Sequence, residues 1–269
     1  MIIQILLGLM FAFSISWAGW QTQALTKRGM WTASLIGGLI FAFGYLPWSI
    51  LILAFFISSS LLSRIPGKDP DGSDSKGAKL GPRDWTQVLA NGGWGAVLVL
   101  IPFFQPRQTW AFIAYAGAMA AITADTWATE IGKLSRQKPR IITTGRLVEP
   151  GTSGGITTAG SLSSLAGSTF VAFLSLLISP LVQSWMDMII ITIAGMLGSV
   201  FDSLLGASIQ VMYACPRCKT ETEQHPLHNC QTPTTYSRGW RWLNNDGVNF
   251  LSSVLGSLIS LTFWLLSSP

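Results

Sequence analysis

The sequence predicts an all-α polytopic membrane protein of about eight transmembrane helices, and three observations carry that prediction. Only 11% of the 269 residues are charged, against about 25% in a soluble domain, which is too little polar surface to face water all round. Apolar stretches near the ~20 residues that cross a bilayer as helix recur along the whole chain. Basic residues fall in alternate loops between those stretches, the pattern that sets membrane topology. No room remains for a large soluble domain, so residues 1–269 are read as a single integral membrane domain.

The expected spans are 2–20, 30–45, 48–62, 86–104, 109–130, 155–179, 184–212 and 246–266. The first apolar run, Met1 to Trp20, has no Lys or Arg before it, so it lacks the charged start of a cleaved signal peptide and is expected to be a membrane helix. Pro47 separates the second and third spans, and the helix count turns on that break. Lys27 and Arg28 follow the first helix; Arg64, Lys68, Lys76, Lys79 and Arg83 follow the third; Lys133, Arg136, Lys138, Arg140 and Arg146 follow the fifth. Arg217, Lys219, Arg238 and Arg241 follow the seventh, and Arg107 alone dissents. Short loops rich in Lys and Arg face the cytoplasm, which places both termini on the opposite side. The net charge of +5 is then a topology signal, and no nucleic-acid partner is expected.

The loop 63–84, rich in Gly, Pro, Ser and charge, reads as a flexible cytoplasmic connector; a lid ordered by an anionic ligand is the alternative. A second cytoplasmic loop spans 213–244. Asp69, Asp71, Asp74, Asp84, Glu149, Glu221 and Glu223 fall in such loops, whereas Asp125, Glu130, Asp202 and Asp246 fall in helices or at their ends. A carboxylate inside a span costs roughly 2.5 kcal/mol or more, so it faces water, a cation or a partner. All four belong to the cytoplasmic half, with Asp202 some ten residues, or ~15 Å, from its helix end. They pair with no basic residue on their spans, which points to a divalent cation held by oxygens and completed by phosphate. Solvated interfacial carboxylates are the plainer reading.

Helical spacing adds Asn245 and Asn249 to the stripe of Asp246, and Thr126 beside Asp125. Asp125 and Glu130 are five apart and diverge on a regular helix; either the helix unwinds there or Glu130 meets solvent. Asn91, in "LANGGWG", reaches the same level, although its glycines equally fit a packing kink. In "EPGTSGGITTAG", Ser153 is expected to cap the sixth helix, and Gly154 and Gly155 to let backbone N–H groups approach phosphate. Gly160 and Gly167 fit close helix packing. Lys133, Lys27 and Arg28 are the cations expected to meet phosphate, against the bland reading that they obey the topology rule.

All the cysteines and both histidines lie in "CPRCKTETEQHPLHNC": Cys215, Cys218, His225, His228 and Cys230. Three thiolates and one imidazole make a closed tetrahedral zinc site, so one histidine is spare. Zn²⁺ here is expected to be structural, folding 213–244 as a knuckle-like loop against the helix that carries Asp246. A redox Cys-x-x-Cys is the alternative.

Four ordered blocks, "LANGGWG", "ADTWATEIGK" with "GTSGGITTAG", "GSVFDSLLGASIQ" and "NNDGVNF", resemble the family that includes plant phytyl-phosphate kinase and vertebrate transmembrane protein 19. The resemblance implies phosphoryl transfer from a nucleoside triphosphate, CTP favoured, to an isoprenoid monophosphate such as phytyl or geranylgeranyl phosphate, as in the supply of diphosphates for tocopherol and phylloquinone. "ADTWATEIGK…SGG" also resembles CTP-dependent membrane lipid enzymes, though it lacks their lysine beside Ser-Gly-Gly. On this reading Asp125, Asp202 and Asp246 hold Mg²⁺, with Asn91, Asn245 and Asn249 on metal or phosphate oxygens. Lys133 and Ser153 to Gly155 bind phosphates, and the prenyl tail lies between helices. A CTP-dependent lipid cytidylyltransferase is the nearest alternative; a transporter, whose acids would sit near the midplane, is the more distant one.

Overall fold

The computed structural model describes residues 2–65, 81–104 and 110–267, without the side chains of Ile2 and Gln4. Most of the expected connector 63–84, with Lys68, Lys76 and Lys79, lies outside the described residues, as does Arg107. Seven helices make up the body: α1 (Ile2–Gln21), α2 (Lys27–Leu62), α3 (Trp85–Phe104), α4 (Trp110–Gly132), α5 (Thr158–Ile178), α6 (Trp185–Ser208) and α7 (Asn245–Ser267).

The second and third expected helices are the two halves of α2, which runs from one to the other through a break, so these seven helices contain all eight expected apolar segments. The break falls at Tyr45, whose φ of 61° and ψ of −161° leave the helical region. Pro47, two residues on, has no N–H to donate and disfavours helical backbone at the residue before it. The halves fold back on each other. Ile36 from the first and Ile52 from the second both abut Gly92 of α3, where an added Cβ would lie 3.0 Å and 3.4 Å from them. At the open end of this hairpin, the Thr26 N–H donates to the Arg83 carbonyl (2.9 Å) and Arg83 Nη1 donates to the Ser60 hydroxyl (3.1 Å).

Five helices, α2, α3, α5, α6 and α7, are long and apolar enough to cross a membrane, and α1 adds a shorter apolar stretch, Ile5–Gln21. Large side chains such as Leu6, Leu35, Leu162, Leu177, Ile189 and Phe263 are exposed on their outward faces, as a lipid-facing surface requires. Inside the ring runs α4, with every residue from Ala111 to Ala124 buried. Lipid tails are as apolar as leucine, so burial of apolar area does not hold these helices together; close packing and interhelical hydrogen bonds do. Small residues on α4 provide the packing. A Cβ on Gly195 of α6 would lie 2.8 Å from that of Ala120, and one on Gly117 would lie 2.5 Å from the Gly256 carbonyl of α7. Tyr115 donates to the Trp48 carbonyl (2.8 Å), Ser260 to that of Ile113 (3.1 Å) and Trp94 to Ser257 (2.8 Å), each worth roughly 0.6 kcal/mol in a membrane.

All Lys and Arg among the described residues lie at one end of the bundle, termed here the basic end. Four helices start there, each with a side-chain cap: Thr26 for α2, Asp84 for α3, Thr157 for α5 and Asn244 for α7. Asp84 and Gln87 bond reciprocally in a capping box. Between α4 and α5 the chain forms the ribbon β1 (Arg140–Ile141) with β2 (Gly155–Ile156); between α6 and α7 it forms the antiparallel sheet β3 (Met212–Cys215), β4 (Thr220–Thr222) and β5 (Thr235–Arg238), ordered β4-β3-β5.

Candidate functional site

Asp125 lies seven residues, or ~10 Å, inside the basic end of α4, and Asp202 six residues, or ~9 Å, inside that of α6. The expected depth of ~15 Å for Asp202 is corrected, because α6 stops at Ser208 and not at 212. Arg238 ends the helix there: its guanidinium bonds the Gly206 and Ala207 carbonyls at 3.3–3.4 Å, a cation on the negative end of the helix dipole. Ser252, at matching depth in α7, donates to Asp202 Oδ2 at 3.2 Å. Asp125 and Asp202 act on each other electrostatically, and Lys133 acts on Asp125.

A third carboxylate, expected among the loop acids, joins them. Glu223, just past β4, acts on both Asp125 and Asp202. It is held by the buried Gln210, whose Nε2 donates to Glu223 Oε1 (2.8 Å) while its Oε1 accepts from the Ser153 hydroxyl (3.1 Å). One glutamine thus ties the glycine-rich segment, the end of α6 and the β3–β5 sheet to the acids. Gln210 closes the block "GSVFDSLLGASIQ", the signal that could have flagged it; nothing in the spacing of Glu223 marks it out.

Asp246 stands higher, in the first turn of α7, and is buried. The Thr86 hydroxyl lies 2.8 Å from both Asp246 Oδ2 and Asp84 Oδ1, and so joins the start of α3 to the start of α7. Asn91, Asn245, Asn249 and Thr126 are half-buried, and their side chains make no hydrogen bond among the described residues. Their polar groups are free for a ligand.

The helix does not unwind between Asp125 and Glu130: α4 is regular to Gly132, and Glu130 takes a different face, accepting from Lys133 Nζ at 3.1 Å. Lys27 and Arg28 are exposed in the first turn of α2. The expected Ser153 cap is corrected to Thr157, which accepts from the Gly160 N–H at 3.0 Å; Ser153 precedes β2 and faces Gln210 instead. Gly154, at φ 76°, presses on Ala207, where a Cβ would lie 2.5 Å away, and the Gly155 N–H is used by the Thr152 carbonyl (3.0 Å). Gly160 and Gly167 pack on Ala128 and Trp127 of α4.

In the sheet, Cys215, Cys218, His228 and Cys230 bring one ligand atom each within 4.8 Å of the others, the only such group of three or more Cys, His, Asp or Glu among the described residues. His228 Nδ1 lies 3.3 Å from Cys230 Sγ and 3.6 Å from Cys218 Sγ, and Cys215 Sγ lies 3.5 Å from Cys230 Sγ. Inclusion of His225 is corrected: its ring stacks on Tyr213 at 4.2 Å and its Nδ1 meets the Thr234 hydroxyl at 3.2 Å. The Thr232 hydroxyl and then His228 pull the Cys230 thiol down to about 5, while hydrogen bonding to Cys230 and desolvation push Cys218 up to about 11. Three thiols and one imidazole suit zinc in a closed structural site.

The family described as "Integral membrane protein DUF92" matches residues 10–257. Protein PGR of Arabidopsis thaliana is 30% identical, across 91% of this chain and 91% of its own length. An uncharacterized membrane protein of Methanocaldococcus jannaschii is also 30% identical, across 91% of this chain and 87% of its own. Chloroplastic protein VTE6 of Arabidopsis thaliana is 22% identical, across 88% of this chain and 64% of its own. No solved structure matches.

Proposed function

From the premise that this chain belongs to the DUF92 family of integral multi-pass membrane proteins, we propose that it is an isoprenoid-monophosphate kinase working at the cytoplasmic face. The reaction moves the γ-phosphoryl group of a nucleoside triphosphate, CTP favoured, onto phytyl or geranylgeranyl phosphate. The observation that carries the reading is the trio Asp125, Asp202 and Glu223: carboxylates from two helices and a loop that act on one another, with Lys133 the basic residue acting on Asp125. A divalent cation would relieve their mutual repulsion, and Asp125, Asp202 and Gln210, which holds Glu223, belong to blocks that resemble phytyl-phosphate kinase.

Asp125, Asp202, Glu223 and, higher up, Asp246 offer oxygens, the donor type a hard divalent cation takes, and no three of them stand close enough to share one ion without movement. Mg²⁺ bound by Asp125, Asp202 and Asp246 would neutralise the charge spread over the transferring group. Phosphoryl transfer asks little else of a protein than alignment and charge. Asn91, Asn245, Asn249 and Thr126 would orient phosphate oxygens with their free polar groups; Lys133, the segment Ser153–Gly155, and Lys27 with Arg28 would hold the nucleotide. An oxygen of the lipid phosphate bonds the γ-phosphorus, the bond from that phosphorus to the β–γ bridging oxygen breaks, and the nucleoside diphosphate leaves. The attacking oxygen is already anionic, so no general base is required.

The test is incubation of purified protein with Mg²⁺, geranylgeranyl phosphate and each γ-labelled nucleoside triphosphate. Labelled prenyl diphosphate is the expected product. A nucleotide-bearing lipid with release of pyrophosphate would replace the kinase by a cytidylyltransferase, and no product with any nucleotide would end both.

A further inference from the structure

A partly open groove runs between α1, α2 and α3 and holds a cavity of about 90 Å³. Its wall is almost wholly apolar, with Phe11, Ile15, Phe41, Ile52 and Phe56 among the lining, and its two strongly polar members, Arg83 and Asn91, both belong to the basic end. Phe41 lies fourteen residues beyond Lys27, which carries the groove ~20 Å down the first half of α2. A greasy slot of that depth with a cation at its mouth matches an amphiphile with one long chain and an anionic head.

Arg83 is prepared for such a head. Its guanidinium sits 5.9 Å from the centres of both Phe55 and Phe56 and gives one hydrogen bond to Ser60. It has five N–H donors and forms no ion pair with a carboxylate among the described residues. Its neighbour Asp84 is joined through Thr86 to Asp246, and Glu130, five residues beyond Asp125, acts on Arg83 electrostatically. A phosphate on Arg83 would therefore sit at the mouth of the groove, beside the start of α3 that Thr86 joins to Asp246.

Resting on the kinase reading above, we infer that this groove holds the isoprenoid chain of the monophosphate substrate and that Arg83 binds its phosphate. The test measures binding and not turnover. Tritiated geranylgeranyl phosphate is titrated onto purified full-length protein, with geranylgeraniol and dioleoyl phosphatidate as competitors. Arg83→Gln is expected to weaken the phosphate at least tenfold and leave the alcohol unchanged, with partial rescue by Arg83→Lys. Ala33→Phe, which fills the groove, is expected to weaken both. Unchanged phosphate affinity in Arg83→Gln, unchanged binding in Ala33→Phe, or phosphatidate competing as well as the prenyl phosphate would overturn the inference. Should a variant not fold, a diazirine-bearing geranylgeranyl phosphate on the wild type is expected to label peptides containing Phe11, Phe41 or Ile52, and labelling elsewhere is equally decisive against it. Labelling in the groove without transfer from any nucleotide would retire the kinase and leave the groove; transfer with labelling elsewhere would do the reverse.

Discussion

Two regions of this protein gather side chains of the kinds that ligate metals, and they are built in opposite ways. The β3–β5 sheet closes Cys215, Cys218, His228 and Cys230 into a set whose ligand atoms all lie within 4.8 Å. The bundle interior holds Asp125 and Asp202 on separate helices at similar depth, with Glu223, just past β4, acting on both. A closed soft-ligand set has no position left for a substrate and serves the fold; an open oxygen set is incomplete without one. Gln210 couples the two through Glu223.

The harshest way to break that contrast is to neutralise the interior acids. Asp125→Asn and Asp202→Asn are each expected to cut phosphoryl transfer by about 10²–10³-fold, the usual loss for one charge-stabilising group, while zinc content stays at the wild-type level by elemental analysis. Zinc lost together with activity would mean the regions are one folding unit and the contrast is false. Cys218→Ser, or chelation of the wild type, is expected to empty the sheet of zinc and lower the melting temperature, with activity falling as Glu223 loses its support and returning when zinc is restored. Full activity in zinc-free protein would uncouple the sheet from the site.

A milder change sharpens the link: Glu223→Gln keeps zinc and is expected to lower transfer by roughly tenfold, about 1.4 kcal/mol, read from kcat at saturating nucleotide. Proton release tests the thiols themselves. Cys218, pushed to about 11, holds its proton at pH 7 and must give it up to bind a metal, so zinc affinity is expected to rise with pH, about tenfold per unit for each proton released. Titration of zinc-free protein between pH 7 and 8 reads this directly, and a flat profile would place the proton elsewhere. The smallest effect belongs to His225→Ala, which is expected to leave zinc stoichiometry untouched because that ring stacks on Tyr213.

The same contrast explains what was legible in the sequence. The Cys and His set lies within sixteen consecutive residues, so local spacing marks it as a possible metal site, and only the choice between His225 and His228 needed coordinates. Helix positions came through because span length and composition are properties of contiguous sequence. Asp125 and Asp202 stood out because carboxylates in greasy helices are costly. Glu223 and Arg83 did not: each sits in a polar loop where charge is ordinary, and only tertiary folding places one by the acids and the other at a groove. Ser153 misled because a helix start read from glycine and serine overlooked the short β2 that uses those residues first. Pro47 marks the break between the expected spans 30–45 and 48–62, which are the two halves of α2; that the chain passes from one to the other directly at Tyr45 needed coordinates.

That hairpin has a practical outcome. The chain reverses around Tyr45, and the apex presents Tyr45 and Leu46 to the surroundings in place of a hydrophilic tether. Water-soluble proteases and bulky maleimides applied from that side would find little to grip there. An accessibility map of the polypeptide would then skip this crossing pair, and the orientation of every later segment would still come out correctly, since two passages missed together cancel.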